Sequence, residues 1–128
     1  MLRKANRMNF LIYASLIANI AVLTPIVILM AMKSHVIDEA WGIFTEARGI
    51  LFAIYLSILI VSIALVVAPV PAFVAALLIV QVIYKVATPF TVGRFKNPVV
   101  ISNLIISVLH IFTLVHIFSN YGSQFSAI

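Results

Sequence analysis

The sequence predicts an all-α integral membrane protein: a four-transmembrane-helix bundle, one domain over residues 1–128, with a short interfacial helix between helices 1 and 2. Three observations predict it. First, 65% of the residues are hydrophobic, the mean hydropathy is +1.27 and only 9% are charged, against about 25% in an average soluble domain. So few charges cannot cover the surface of a small globule. Second, the apolar runs are continuous over membrane lengths, unlike the short alternating segments of a transmembrane β-barrel. Third, the eight Lys and Arg and three Asp and Glu are concentrated beside those runs.

The net charge of +5 is spread over segments flanking spans, where anionic lipid headgroups are the natural partner. No nucleic-acid partner is expected. The chain contains 0 Cys, which excludes disulfides, thiolate metal sites, iron–sulfur clusters and covalently attached haem.

Taken in order, MLRKANR is a short basic tail followed by an apolar run, as in a secretory signal. The run is too long for one and lacks a small-residue cleavage site before Lys33, so it reads as a retained first span over about 9–32. Within it Ser15 and Asn19 share a face. Pro25 frees the carbonyl of Ala21 and predicts a mild kink, with Thr24 placed to compensate.

Residues 33–48 are the longest polar stretch and hold all three acids, Asp38, Glu39 and Glu46. Ile37, Trp41 and Phe44 recur at i, i+4 and i+7, which predicts an interfacial helix anchored by Trp41 at headgroup depth. Glu46 and Arg48 are expected to form an ion pair. His35, Asp38 and Glu39 have a spacing that offers one nitrogen and two oxygens to a divalent metal. A solvated helix face is the simpler expectation, and no metal is expected.

Span 2 covers about 49–68. Gly49, Ala53 and Ser57 form a small-residue ridge suited to close helix packing. The link Ala68-Pro69-Val70-Pro71 forces an immediate return, with Pro71 opening span 3 over about 71–88. Gln81, Tyr84, Lys85 and Thr88 share the far end of that span, where Lys85 is expected to snorkel outward. Arg94 and Lys96 are anchors in the next loop. Asn97 and Pro98 supply a cap and a first residue for span 4, about 98–118, and Gly122 marks its stop.

Span 4 carries the densest polar content of the four. Asn103, Ser107 and His110 fall at i, i+4 and i+7, within about 40° on the helix wheel, and form one stripe. Hydrogen bonding to Gln81, Asn19 or backbone carbonyls accounts for it as a packing device. His110 is also the one position from which a haem or chlorophyll-type pigment could be ligated. His116 is about 120° away and cannot share such a ligand; it is expected to be a partly wet residue near the membrane edge. No nucleophile–base pair and no phosphate-cradling glycine loop is present, so no catalysis and no cofactor are expected.

The function expected from these features is that of a non-catalytic accessory subunit of a larger membrane complex, energy-transducing or oxidative in kind, contacting lipids and other integral membrane subunits. The alternative is a small homo-oligomeric transporter or channel whose path is lined by Asn19, Gln81, Asn103, Ser107 and His110. A pigment-binding subunit is the third. The expected location is a bacterial or archaeal cytoplasmic membrane or an organelle inner membrane. The three basic residues of the N-terminal tail against two in the first loop favour termini inside, while the three of the 85–96 loop against none in the C-terminal tail favour the opposite, so that termini inside means three in and five out. The weight usually given to the first helix places the termini inside.

Overall fold

The structure, a computed structural model, describes the backbone of residues 2–126 and the side chains of residues 7–120. Among the described residues there is no strand. The elements are α1 (Leu2–Ala31), a 3-10 turn (His35–Ile37), α2 (Asp38–Trp41), α3 (Glu46–Val67), α4 (Pro71–Val92) and α5 (Pro98–Ser126). Four helices contain segments long and apolar enough to cross a membrane: Arg7–Ala31, Glu46–Val67, Pro71–Val92 and Pro98–Asn120, of 22 to 25 residues. At the α-helical rise such segments extend about 33–38 Å, against a hydrocarbon core of about 30 Å.

The helix ends follow local chemistry. Thr45 caps α3, its hydroxyl accepting from the Arg48 amide at 3.3 Å, with Glu46 in the first turn, where the helix dipole favours an acid. Pro71 opens α4. Asn97 caps α5 through its Oδ1, which accepts from the Val99 amide at 2.8 Å.

Several boundaries differ from expectation. The basic tail is not separate from span 1, because α1 already begins at Leu2; the side chains of Arg3 and Lys4 lie outside the described residues. Helix α4 runs through Pro89 and stops at Gly93, whose φ of 78° supplies the left-handed cap. A proline so close to a helix end disrupts little that is still hydrogen-bonded. Helix α5 passes Gly122 and reaches Ser126, since one glycine costs a helix only about 1 kcal/mol. The Thr24 hydroxyl donates to the Ile20 carbonyl at 2.6 Å, not to the Ala21 carbonyl that Pro25 frees.

The interfacial helix is shorter than its hydrophobic spacing predicts. Gly42, at φ 81°, ends α2 immediately after Trp41. Phe44 therefore leaves the face of Ile37 and Trp41 and lies exposed, with Lys33 Nζ 4.4 Å from its ring centroid.

Helix α1 packs against α3 and α5, and α4 packs against α5. Consecutive α3 and α4 touch far less than these three pairs do. Near the short link between them, Leu65 meets Val74, Ala75 and Leu78 in an apolar cluster with Met8, Ile12, Leu16 and Ile117. A second cluster joins Leu23, Val27 and Met30 of α1 to Tyr55, Ile58 and Leu59 of α3, with Ile37 beneath them. The face that α3 buries thus includes Tyr55, Ile58, Leu59, Ser62 and Leu65. The Gly49, Ala53 and Ser57 ridge is turned away from the chain's other helices: Ala53 and Ser57 are exposed, and a Cβ added at Gly49 would meet nothing within 4 Å. That ridge is not a packing face within the chain.

Candidate functional site

The core between the two apolar clusters is polar, and all four long helices contribute to it. Helix α5 buries Asn103, Ser107, His110 and Thr113; α1 buries Ser15 and Asn19; α3 buries Ser62; α4 buries Gln81 and Lys85. The sets on α1, α4 and α5 recur at helical spacing, which is why one face of each of these helices turns polar at this depth.

The deepest layer is closed by interhelical hydrogen bonds. His110 Nε2 donates to Asn19 Oδ1 at 3.0 Å, and Asn19 Nδ2 donates to Ser62 Oγ at 3.2 Å. With Nε2 carrying the proton, the neutral imidazole presents a lone pair at Nδ1, which has no hydrogen-bond partner among the described residues. Below it, Ser15 Oγ and Thr113 Oγ1 are 2.7 Å apart. The Thr113 hydroxyl also reaches the carbonyls of Leu109 at 3.0 Å and Leu11 at 3.1 Å. It has one proton, so it donates to a carbonyl and accepts from Ser15. The Ser107 hydroxyl donates to the Leu104 carbonyl of its own helix at 2.8 Å.

Nearer the α2 end the network is open. Lys85 does not snorkel outward. It is 5% exposed, its Nζ donating to Asn103 Oδ1 at 3.3 Å and lying 5.0 Å from the Tyr84 ring centroid. Its side chain instead borders a cavity beneath α2. It forms no ion pair among the described residues, where Asp38 is the one paired acid. Asn103 Nδ2 makes only a long contact of 3.5 Å to Thr88 Oγ1. Both amide atoms of Gln81 and the Tyr84 hydroxyl are buried without partners among the described residues.

Two cavities reach this open part. One, of about 170 Å³, is bounded by Asn19, Lys85, Asn103 and Ser102, with Trp41 and Tyr55 above. The other, of about 500 Å³, separates α3 from α4 and is lined by Tyr55, Tyr84, Thr88 and Asn103, with Arg94 and Glu39 at its outer end. Neither is lined by His110.

Helix α2 lies over both cavities and is tied down on two sides. Toward α1 and α3, Arg48 Nη1 donates to Asp38 Oδ1 and to the Gly42 carbonyl, each at 2.6 Å, and Nη2 donates to the Ser34 carbonyl at 3.1 Å. Arg48 thus pairs with Asp38 rather than with Glu46. Trp41 is half-buried, its Nε1 donating to the Tyr55 hydroxyl at 3.4 Å, so it faces the cavity mouth and is not an outward anchor. Toward α4 and α5, Asn97 Nδ2 donates to the Ala40 carbonyl at 3.0 Å and Arg94 to the Glu39 carbonyl at 3.4 Å. Lys96 is exposed.

His35 Nδ1 donates to Asp38 Oδ2 at 2.9 Å. Hydrogen bonds from His35 and then Arg48 hold the Asp38 carboxyl below its ordinary value, against a smaller opposing effect of burial. With both Asp38 oxygens so engaged, His35, Asp38 and Glu39 do not converge, and no group of three His, Asp or Glu side chains is placed to hold a metal among the described residues. His116 Nδ1 donates to the Phe112 carbonyl at 2.9 Å, at the opposite end from α2.

The residues missing from the sequence-based stripe include Thr113 of α5, Tyr55 and Ser62 of α3, and Trp41. Tyr55 and Ser62 are seven apart on α3, two helical turns, and that spacing was their one available signal. No protein-family model matches the chain, and comparisons with curated proteins and with solved structures find no match.

Proposed function

We propose that the chain is a multi-pass membrane protein of the small transporter or channel class, with a solute path along the polar face of α5. One observation carries this: buried polar side chains from four helices form a continuous series that is open through cavities at the α2 end and closed at the other end by Met8, Ile12, Leu16 and Ile117. Helix packing alone does not call for a buried lysine without an acid, or for an amide with neither atom paired, because each carries a desolvation cost.

The path is one-sided in this arrangement. Lys85 lies seven residues before the end of α4 and Asn103 five after the start of α5, depths of about 10 and 8 Å along their helices. His110 and Asn19 are each about 18 Å deep. Solute enters beneath α2 and meets Asn103 and Lys85 before the His110–Asn19–Ser62 layer.

The absence of native cysteine makes the test direct. Single cysteines at the four stripe positions Asn103, Ser107, His110 and Thr113, and one at Ile117 as a control, are probed in proteoliposomes with a membrane-impermeant charged thiol reagent. Cysteines at Asn103 and Ser107 should react from the α2 side and one at Ile117 from neither. A core in which none of the four reacts would leave the stripe as a packing device and defeat the solute path.

An accessory role within a larger complex is favoured by a different observation, the outward small-residue ridge at Gly49, Ala53 and Ser57, which offers a neighbouring helix a close approach. A pigment at His110 has less support, since Nε2 is already engaged by Asn19 and the two cavities are lined by other residues.

A further inference from the structure

Beside the cavity at Lys85 lies a second space that the solute path does not use. A groove of about 360 Å³ on the outer surface between α1 and α5 is lined by Val22, Pro98, Ile101, Ser102, Ile105 and Ile106. Four of these residues, Val22, Pro98, Ser102 and Ile106, also line the inner cavity. The two spaces therefore adjoin across one shared wall, with the lysine at the inner end. At the outer end Ile101 and Ile105 are 47% and 67% exposed, on the side that faces acyl chains if the helix spans a membrane.

The chemistry along this line changes in one direction. The inner end offers the Lys85 ammonium, with one hydrogen bond to Asn103 among three donors. It also has the Asn103 amide, whose other contact is long. The middle is Val22, Leu23, Ile26 and Ile106. The outer end is isoleucine. A ligand complementary to the whole has one negative charge at its head and a hydrocarbon body. A single cation among neutral groups suits a monoanion such as a carboxylate; a phosphate dianion would leave charge uncompensated in an apolar surround. The inner volume of about 170 Å³ is comparable to an engineered apolar cavity of about 150 Å³ that binds benzene, so it holds a headgroup and a few carbons and the remaining chain must extend outward.

We propose that the α1–α5 cavity binds a single-chain carboxylate of the fatty-acid class, its headgroup on Lys85 and Asn103 and its chain leaving sideways past Ile101 and Ile105. This rests on the membrane-spanning reading above but not on the solute path. The ligand arrives from the bilayer rather than from water, and its headgroup lies beneath Ala40 and Trp41 of α2.

The test uses the full chain in phosphatidylcholine nanodiscs and oleate carrying a photoreactive diazirine in its chain. Crosslinking should be saturable, should map to peptides containing Val22, Ile101 or Ile105, and should be competed by oleate but not by oleyl alcohol. It should fall at least tenfold in Lys85→Met and persist in Lys85→Arg. Ser102→Trp, which fills the shared wall, should abolish it in a second, independent way. Helicity and monodispersity of each variant show that the fold is retained. Equal competition by oleyl alcohol, or full crosslinking in Lys85→Met, would overturn the headgroup assignment. Protection by benzoate without saturable oleate binding would show a small acid entering from water and overturn the lateral route. Oleate binding with an unreactive cysteine series would remove the solute path and leave this site standing; a reactive series without oleate binding would do the reverse.

Discussion

At the residue scale, the side chains that hold the fold are distinct from those that open the core. Arg48 is a holding residue: it is buried and makes three hydrogen bonds to Asp38 and two backbone carbonyls. Arg48→Ala should lower stability by about 2 kcal/mol, measured by thermal unfolding in detergent, and should loosen α2. The Asp38 clasp also sets a pH dependence. Its folded-state pKa lies below the ordinary value of 3.8. The stabilisation is therefore complete above that value and lost as pH falls through the depressed one. Trp41 is the single tryptophan and reports α2 docking. Its emission should be constant from about pH 7 to about pH 5 and shift to the red only below the ordinary carboxylate range; Asp38→Asn should remove that acid transition. Asn19 is different. Its two interhelical hydrogen bonds are worth about 1 kcal/mol together by membrane-protein averages. Asn19→Ala should cost no more than that in unfolding, while exposing His110 to thiol-sized probes; a loss of several kcal/mol would mark the deep layer as structural.

At the scale of elements, α2 is a tethered cover over a gap between helices. The gap exists because α3 and α4 are joined at one end by a short link and separated at the other by the larger cavity. Gly42 ends α2 at φ 81°, a conformation that costs an alanine about 1 kcal/mol or more. Gly42→Ala should therefore displace α2 and raise the rate at which a cysteine at Asn103 reacts. Gly49→Leu is the contrasting case. The position is open, so the variant should fold and unfold as the parent does. A change in oligomeric state or in co-purifying subunits, read on a native gel, would assign the ridge to a partner; an unchanged pattern would count against the accessory-subunit alternative.

At the scale of the whole molecule, the four long helices bury a polar layer between two apolar clusters and expose many large hydrophobic side chains on their outer faces, unlike a soluble domain, whose surface is largely charged and polar. The first turns of α1 and the late turns of α5 meet at the end opposite α2, since Arg7 of α1 and His116 and Asn120 of α5 border one cavity there. Withdrawing Lys85 into the core leaves Lys33, Arg48, Arg94 and Lys96 at the α2 end against Arg3, Lys4 and Arg7 at the other. With Arg48 also buried, Lys33, Arg94 and Lys96 are the exposed basic residues at the α2 end, equal in number to Arg3, Lys4 and Arg7 of the N-terminal segment. The excess of basic residues that opposed termini inside is thereby removed, and the count favours neither orientation. Mild extraction followed by native-gel separation should give a small, colourless oligomer for a transporter. Fixed-ratio migration with larger subunits would support the accessory alternative, and a visible absorption band would revive the pigment one.

The sequence by itself determined the helical class, the four long apolar segments, the link at Pro69 and Pro71, the cap at Asn97 and the shared face of Asn103, Ser107 and His110. Each follows from composition, periodicity or the local stereochemistry of proline and asparagine, which act within a few residues. Only the tertiary structure decided where Lys85 and Trp41 point, which acid Arg48 meets, and that the glycine ridge faces outward. Those outcomes depend on partners 10 to 18 residues away in sequence, such as Asp38 for Arg48, Tyr55 for Trp41 and Asn103 for Lys85. A long side chain near a helix end has an outward and an inward solution of similar local energy. The choice between them is made by what neighbouring helices place beside it.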